Sequence, residues 1–81
     1  GVSSITSESF EVALNSTTDM LNIQSSETPI LNIKIYDLNG KKLTDQLFNS
    51  KSTVALNLNS FVNGIYILNI NNQFALKVVK L

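Results

Sequence analysis

The side chains in this chain that could do chemistry are six carboxylates, six lysines, two tyrosines and many hydroxyls. Histidine, cysteine, arginine and tryptophan are missing. Without histidine the chain lacks the usual general base, proton shuttle and imidazole metal ligand. Without cysteine it has no thiolate nucleophile, no thiolate metal site and no disulfide framework. The acids Glu8, Glu11, Asp19, Glu27, Asp37 and Asp45 are scattered and have no partner motif. The serines lack the glycine pattern of a nucleophile elbow. Asp37, Leu38, Asn39 and Gly40 overlap the start of a calcium loop, but the downstream ligands and closing Glu are missing, so a plain hairpin turn is the better reading. Asn15, Ser16 and Thr17 match a glycosylation acceptor, a three-residue pattern that recurs by chance. No glycine loop could cradle a phosphate. The chain reads as a non-enzyme, with no cofactor and no metal expected.

Size and charge narrow the remaining classes. Eighty-one residues make one domain, and such a chain buries roughly 60–65% of its extended surface. Hydrophobic content of 43% against 15% charged argues for a globular unit and not for disorder. The formal charge is zero, whereas a nucleic-acid binder needs a basic field and usually arginine, so that partner is excluded. No apolar run reaches the ~18 residues of a transmembrane helix, and no cationic-then-apolar leader opens the chain. Gly1 to Ser7 look like a boundary inside a longer protein.

Apolar residues recur with a period of two nearly throughout, and no window of helical period stands out. Residues 1–9, rich in Ser and Thr, read as a linker from a preceding cargo, and residues 10–81 as the folded unit. Phe10, Val12 and Leu14 predict a first strand, and Leu21 and Ile23 a second, with a turn from Asn15 to Asp19 between them. Pro29 precedes a third strand, in which Leu31, Ile33 and Ile35 alternate with Asn32, Lys34 and Tyr36. Asn39-Gly40 is a strong hairpin signal, because a type I′ turn needs positive φ at both central residues. A fourth strand is expected from Lys42 to Phe48, interrupted by residues 49–51. A fifth follows from Thr53 to Leu58. After a crossing segment, Ile65 to Ile70 forms the sixth, Asn71-Asn72 a tight turn, and Phe74 to Val79 the seventh. About seven short strands with regular turn signals predict an all-β, immunoglobulin-like antiparallel β-sandwich, with a closed barrel as the competitor. Val78 and Val79, adjacent and both apolar, leave the inward face of the last strand open.

Tyr66 has a physical reading of its own. In Greek-key sandwiches a tyrosine near the start of the sixth strand can turn back and hydrogen-bond the backbone a few residues upstream. Leu58 and Phe61 would plug the core, while Gly64 permits a conformation that other residues resist.

These stretches also carry a family resemblance. Ile33, Ile35, Tyr36, Asp37, Leu38, Gly40 and Lys41 match an apolar alternation ending in Tyr-Asp-x-x-Gly-Lys. Phe61, Gly64 and Tyr66 match a Leu-x-x-Gly-x-Tyr motif, and Lys77, Val78, Val79 and Lys80 a short lysine-bearing final strand. In this order they resemble the C-terminal sorting domain of type IX secretion in Bacteroidetes, from about Phe10 to Leu81. That family's first turn is of Pro-Asn-Pro type. Here Asn15, Thr17, Thr18 and Asp19 keep its polar residues, but both prolines are absent, so Asn15 and Asp19 must organise the turn through side-chain bonds to backbone.

The resemblance implies a sorting signal at the carboxyl end of a secreted enzyme or adhesin. The cargo would reach the periplasm by an N-terminal signal, and an outer-membrane translocon would recognise the folded tail. A sortase-like peptidase would then cut within Gly1 to Ser9, leaving the cargo released or attached to surface lipopolysaccharide. Recognition is expected on exposed features: Lys77, Lys80 and Leu81 at the last strand, the turn of Asp37, Asn39, Gly40 and Lys41, or an open sheet edge. Protection of an edge strand against aggregation is the other reading of the lysines. Two rival classes are a carbohydrate-binding module, which wants a planar aromatic platform, and a structural spacer.

Overall fold

The computed structural model describes residues 2–6 and 10–81, and over them the chain is all β. Eight strands follow one another: β1 (Val2–Thr6), β2 (Phe10–Asn15), β3 (Met20–Ser25), β4 (Ile30–Asp37), β5 (Lys42–Lys51), β6 (Thr53–Asn57), β7 (Gly64–Ile70) and β8 (Phe74–Lys80). They form two antiparallel four-stranded sheets, β1-β2-β3-β6 and β5-β4-β7-β8. The chain crosses between sheets after β3, β5 and β6, so the sandwich is wound as a Greek key and not as a barrel. Apolar residues of both sheets meet in one core, with Leu21, Ile30, Ile33, Leu68 and Ile70 fully enclosed. Alternation selects them: Ile33 and Ile35 face inward between Lys34 and Tyr36, and Leu68 and Ile70 face inward across Asn69.

The expected strands from Phe10 onward are present, several with a border moved by a residue, and a further strand precedes them. β5 runs unbroken to Lys51, because β-bulges at Ile30/Asn32 and Ile35/Tyr36 let it stay paired with β4 along its length. Within the stretch read as a linker, Val2–Thr6 is a strand, paired with β2 from Val2↔Asn15 to Thr6↔Glu11. Gly1 and residues 7–9 of that stretch lie outside the described residues.

The turns follow their side chains. Gly40 has positive φ (84°), but Asn39 does not, so the hairpin is not the expected type I′. Asp37 explains the difference. Its Oδ1 accepts the amides of Asn39 and Lys41, both at 2.9 Å, while the Gly40 amide donates to its carbonyl at 3.1 Å. That pattern is a three-residue loop closed by a glycine bulge. The double positive φ occurs instead at Asn71 and Asn72, both 57°. The Asn71 side chain accepts from the Leu31 and Asn32 amides (2.8 and 3.1 Å) and donates to the Pro29 carbonyl (2.9 Å), pinning the bulged start of β4. In the first turn the Thr17 amide donates to Asn15 Oδ1 at 2.9 Å, and Asp19 takes φ 59° without the help of proline.

Candidate functional site

Antiparallel pairing gathers the three motif stretches at one end of the second sheet. Asp37 lies opposite Tyr66, and Tyr66 opposite Val78. Tyr36, Ile67 and Lys77 form the adjacent row, Ile65 pairs with Val79, and Gly64 with Lys80. The motif residues therefore divide between the two faces of the sheet.

Tyr66, Val78 and Lys80 belong to the inward face, all under a tenth exposed. The Tyr66 hydroxyl donates to the Val62 carbonyl, and its ring lies 5.4 Å from that of Phe61. Leu58 is enclosed beneath, at 2% exposure. Gly64 has φ 156° with open space where a Cβ would project, so a side chain there would meet backbone strain and no neighbour. Tyr66→Phe is expected to lower unfolding free energy by about 0.5–1.5 kcal/mol. Chemical denaturation of the two proteins checks this, and equal midpoints would remove the clamp.

Lys80 departs most from expectation. Read as an exposed recognition or edge-protecting residue, it is only 7% exposed. Its Nζ donates to the Leu58 carbonyl at 2.8 Å and to the Phe61 carbonyl, with the Asn59 carbonyl at 3.5 Å. Asp19 Oδ2 lies 4.0 Å away, and the Asp19 carbonyl accepts the Leu58 amide at 2.8 Å. An ammonium is costly to bury unless its donors are met, and the carbonyls of the crossing loop supply the acceptors. The residue ties the end of β8 to that loop and to the first turn. One signal could have revealed it: Phe74, Leu76, Val78 and Lys80 share a parity, and Val78 is buried.

Tyr36, Ile65, Ile67, Lys77 and Val79 lie on the outward face, Lys77 being exposed and Val79 partly so. This settles the open question of the last strand, with Val78 inward and Val79 outward. Leu81 is 81% exposed just beyond. Asp37, Asn39, Gly40 and Lys41 form the neighbouring turn, and the Asp37 carboxylate is engaged by the turn's own amides. Further along this face, Asp45 is held below the ordinary aspartate range by a hydrogen bond from Asn32 Nδ2 (2.8 Å), then by Lys42 (3.1 Å).

A depressed carboxylate stabilises the fold above its unfolded value and loses that contribution as pH falls through its folded value. Because Asp45 is exposed, little stability rides on it. An NMR titration is expected to place its midpoint below 3.8, and Asn32→Ala to move it upward. An unchanged midpoint in the variant would refute the stated cause.

The first sheet offers a different surface. Its outer face has a depression lined by the small or polar residues Glu11, Ala13, Asn22, Gln24, Thr53 and Ala55 together with Ile23 and Val54, both buried. Among the described residues Tyr36 alone places an aromatic ring on an outer face, partly exposed: Phe10 packs edge-on against Phe74 at 4.9 Å, Tyr66 is buried, and Phe48 and Phe61 lean on the core. No group of metal-ligating side chains is assembled among the described residues. Among the described residues no helix is long and apolar enough to cross a membrane.

Among known proteins, the family model described as "Secretion system C-terminal sorting domain" matches residues 15–81. The match starts at Asn15, later than the resemblance placed it, and takes in all three motif stretches and the first turn. No curated protein and no solved structure matches the chain.

Proposed function

From the premise that this chain belongs to the secretion system C-terminal sorting domains, we propose that it carries an N-terminally linked cargo across the outer membrane and is then cut away. The family's role is that of a type IX sorting signal and not of a catalyst, and proteins bearing such a tail are exported across the outer membrane. The finer steps are our reading. An outer-membrane translocon recognises the folded domain in the periplasm, and a sortase-like peptidase severs it within Gly1 to Ser9. The cargo ends at the cell surface or outside.

The observation that carries this reading is the family match over residues 15–81. The geometry supports it by joining the motif stretches at one end of a domain whose polar groups are spent on turns and clamps. The strand at Val2–Thr6 adds a condition to the cut: a peptidase acting between those residues must first lift β1 from β2. The test is to fuse residues 1–81 to an inert periplasmic reporter in a host with type IX secretion. Export with loss of the tail is expected. A correctly folded fusion retained in the periplasm would return the domain to the binding or spacer class.

A further inference from the structure

Zero net charge conceals a division between the two sheets. All the lysines lie on the second sheet or its β4–β5 turn: Lys34 in β4, Lys41 in the turn, Lys42 and Lys51 in β5, Lys77 and Lys80 in β8. Of the acids only Asp37 and Asp45 belong to that sheet, so six positive and two negative charges leave an excess of four. The other acids all precede β4 in the chain. Exposed large apolar side chains follow the same division, since none lies on β2, β3 or β6. Leu38, Val62, Ile65 and Leu81 are 66%, 78%, 38% and 81% exposed. The registers Asp37↔Tyr66 and Gly64↔Lys80 bring them to the motif end of the second sheet.

Resting on the sorting reading above, we propose that the outer face of the second sheet at this end docks a protein surface with an apolar centre and a carboxylate rim. Tyr36, Ile65, Ile67 and Val79 form an aliphatic and aromatic strip lying on the sheet, with Lys77 beside it and Lys41 in the turn above, while Lys34 reaches away to Asn72 Oδ1 at 2.7 Å in the β7–β8 turn. Apolar area sets how well such a patch binds, and the charges around it set which partner it accepts and how fast. Complementarity then calls for acids around the partner's apolar patch. An anionic lipid surface fits less well. Lys42 is paired with Asp45 and Lys80 is enclosed, so fewer lysines face outward at this end than the roughly 4–8 of a lipid-binding cluster. The first sheet, small and polar on its outer face, is the natural control surface.

The experiment compares export of the reporter fusion with matched charge reversals on each sheet. Lys77→Glu and Ile65→Ser are each expected to lower extracellular reporter by roughly fivefold or more. Glu11→Lys, on the first sheet, is expected to leave export within about twofold of the unaltered fusion. Thermal unfolding of each purified fusion, unchanged from the parent, separates recognition from folding. Equal losses from reversals on either sheet, or none from the second, would overturn the docking face while the sorting role stands. Failure of the unaltered fusion to leave the periplasm would overturn the sorting role itself. Co-sedimentation with phosphatidylglycerol vesicles, abolished by Lys77→Glu, would transfer the face from protein to lipid.

Discussion

Lys80→Met is expected to destabilise the domain by about 2–4 kcal/mol, although it removes a charge from a mostly apolar interior. Methionine keeps the length and apolar stem of the side chain, so little packing is lost. What disappears are the donors to the carbonyls of Leu58 and Phe61 and the positive charge that faces Asp19. The Leu58 carbonyl keeps the Phe61 amide at 3.0 Å, but the Phe61 carbonyl loses its side-chain donor, and a stranded acceptor costs more than a made bond gains. Arginine should fail as well, since its flat, wider fork does not fit a cage built around a compact ammonium. Urea denaturation of both variants measures the effect. A loss under about 0.5 kcal/mol for methionine would mean that the cage holds nothing together.

The largest loss is expected for Phe10→Ala, at about 3–5 kcal/mol. Phe10 is 2% exposed, opens β2 and meets the ring of Phe74 edge-on at 4.9 Å, joining the two sheets. A domain of this length holds only about 4–12 kcal/mol in all, so the variant gives up a quarter or more of its stability and should melt well below the parent. Phe10→Leu, which refills most of the volume, should cost under about 2 kcal/mol. Circular dichroism melts of the three proteins decide the matter. If the alanine variant melts with the parent, Phe10 is not part of the seam between the sheets. Reporter export should follow folding, lowered with alanine and kept with leucine.

The sandwich was legible because its strands alternate cleanly. Ile33 and Ile35 against Lys34 and Tyr36, or Leu68 and Ile70 against Asn69, identify an inward face without reference to any partner. β1 was not legible, since Val2 and Ile5 among serines and a threonine make no alternation and the segment reads by composition as linker. Asn39-Gly40 announced a hairpin but not its type, because Asp37 binds two amides of the loop and imposes its own spacing. Asn71 announced a turn but not its reach to Pro29, Leu31 and Asn32, about forty residues away in the chain. The enclosure of Lys80 was not legible, because a lysine ending an edge strand reads as a solvated residue. Its surroundings come from Leu58, Asn59, Phe61 and Asp19, which only the folded topology brings near. The motif residues could be found in the chain, but their split into a buried clamp and an outward strip required the register of β4, β7 and β8.

The pairing Val2↔Asn15 and the approach of Lys80 to Asp19 put the first strand's start and the last strand's finish at the same pole of the sandwich. Anything joined ahead of Val2 therefore pulls on the domain from beside Leu81. Tension between those points opens the edge pairing of β1 and β2 one rung at a time, from Val2↔Asn15 inward, instead of shearing all the rungs together. Force applied between Leu81 and whatever precedes Val2 thus meets a soft tether that unzips at low force, while the cage around Lys80 keeps the rest of the body shut.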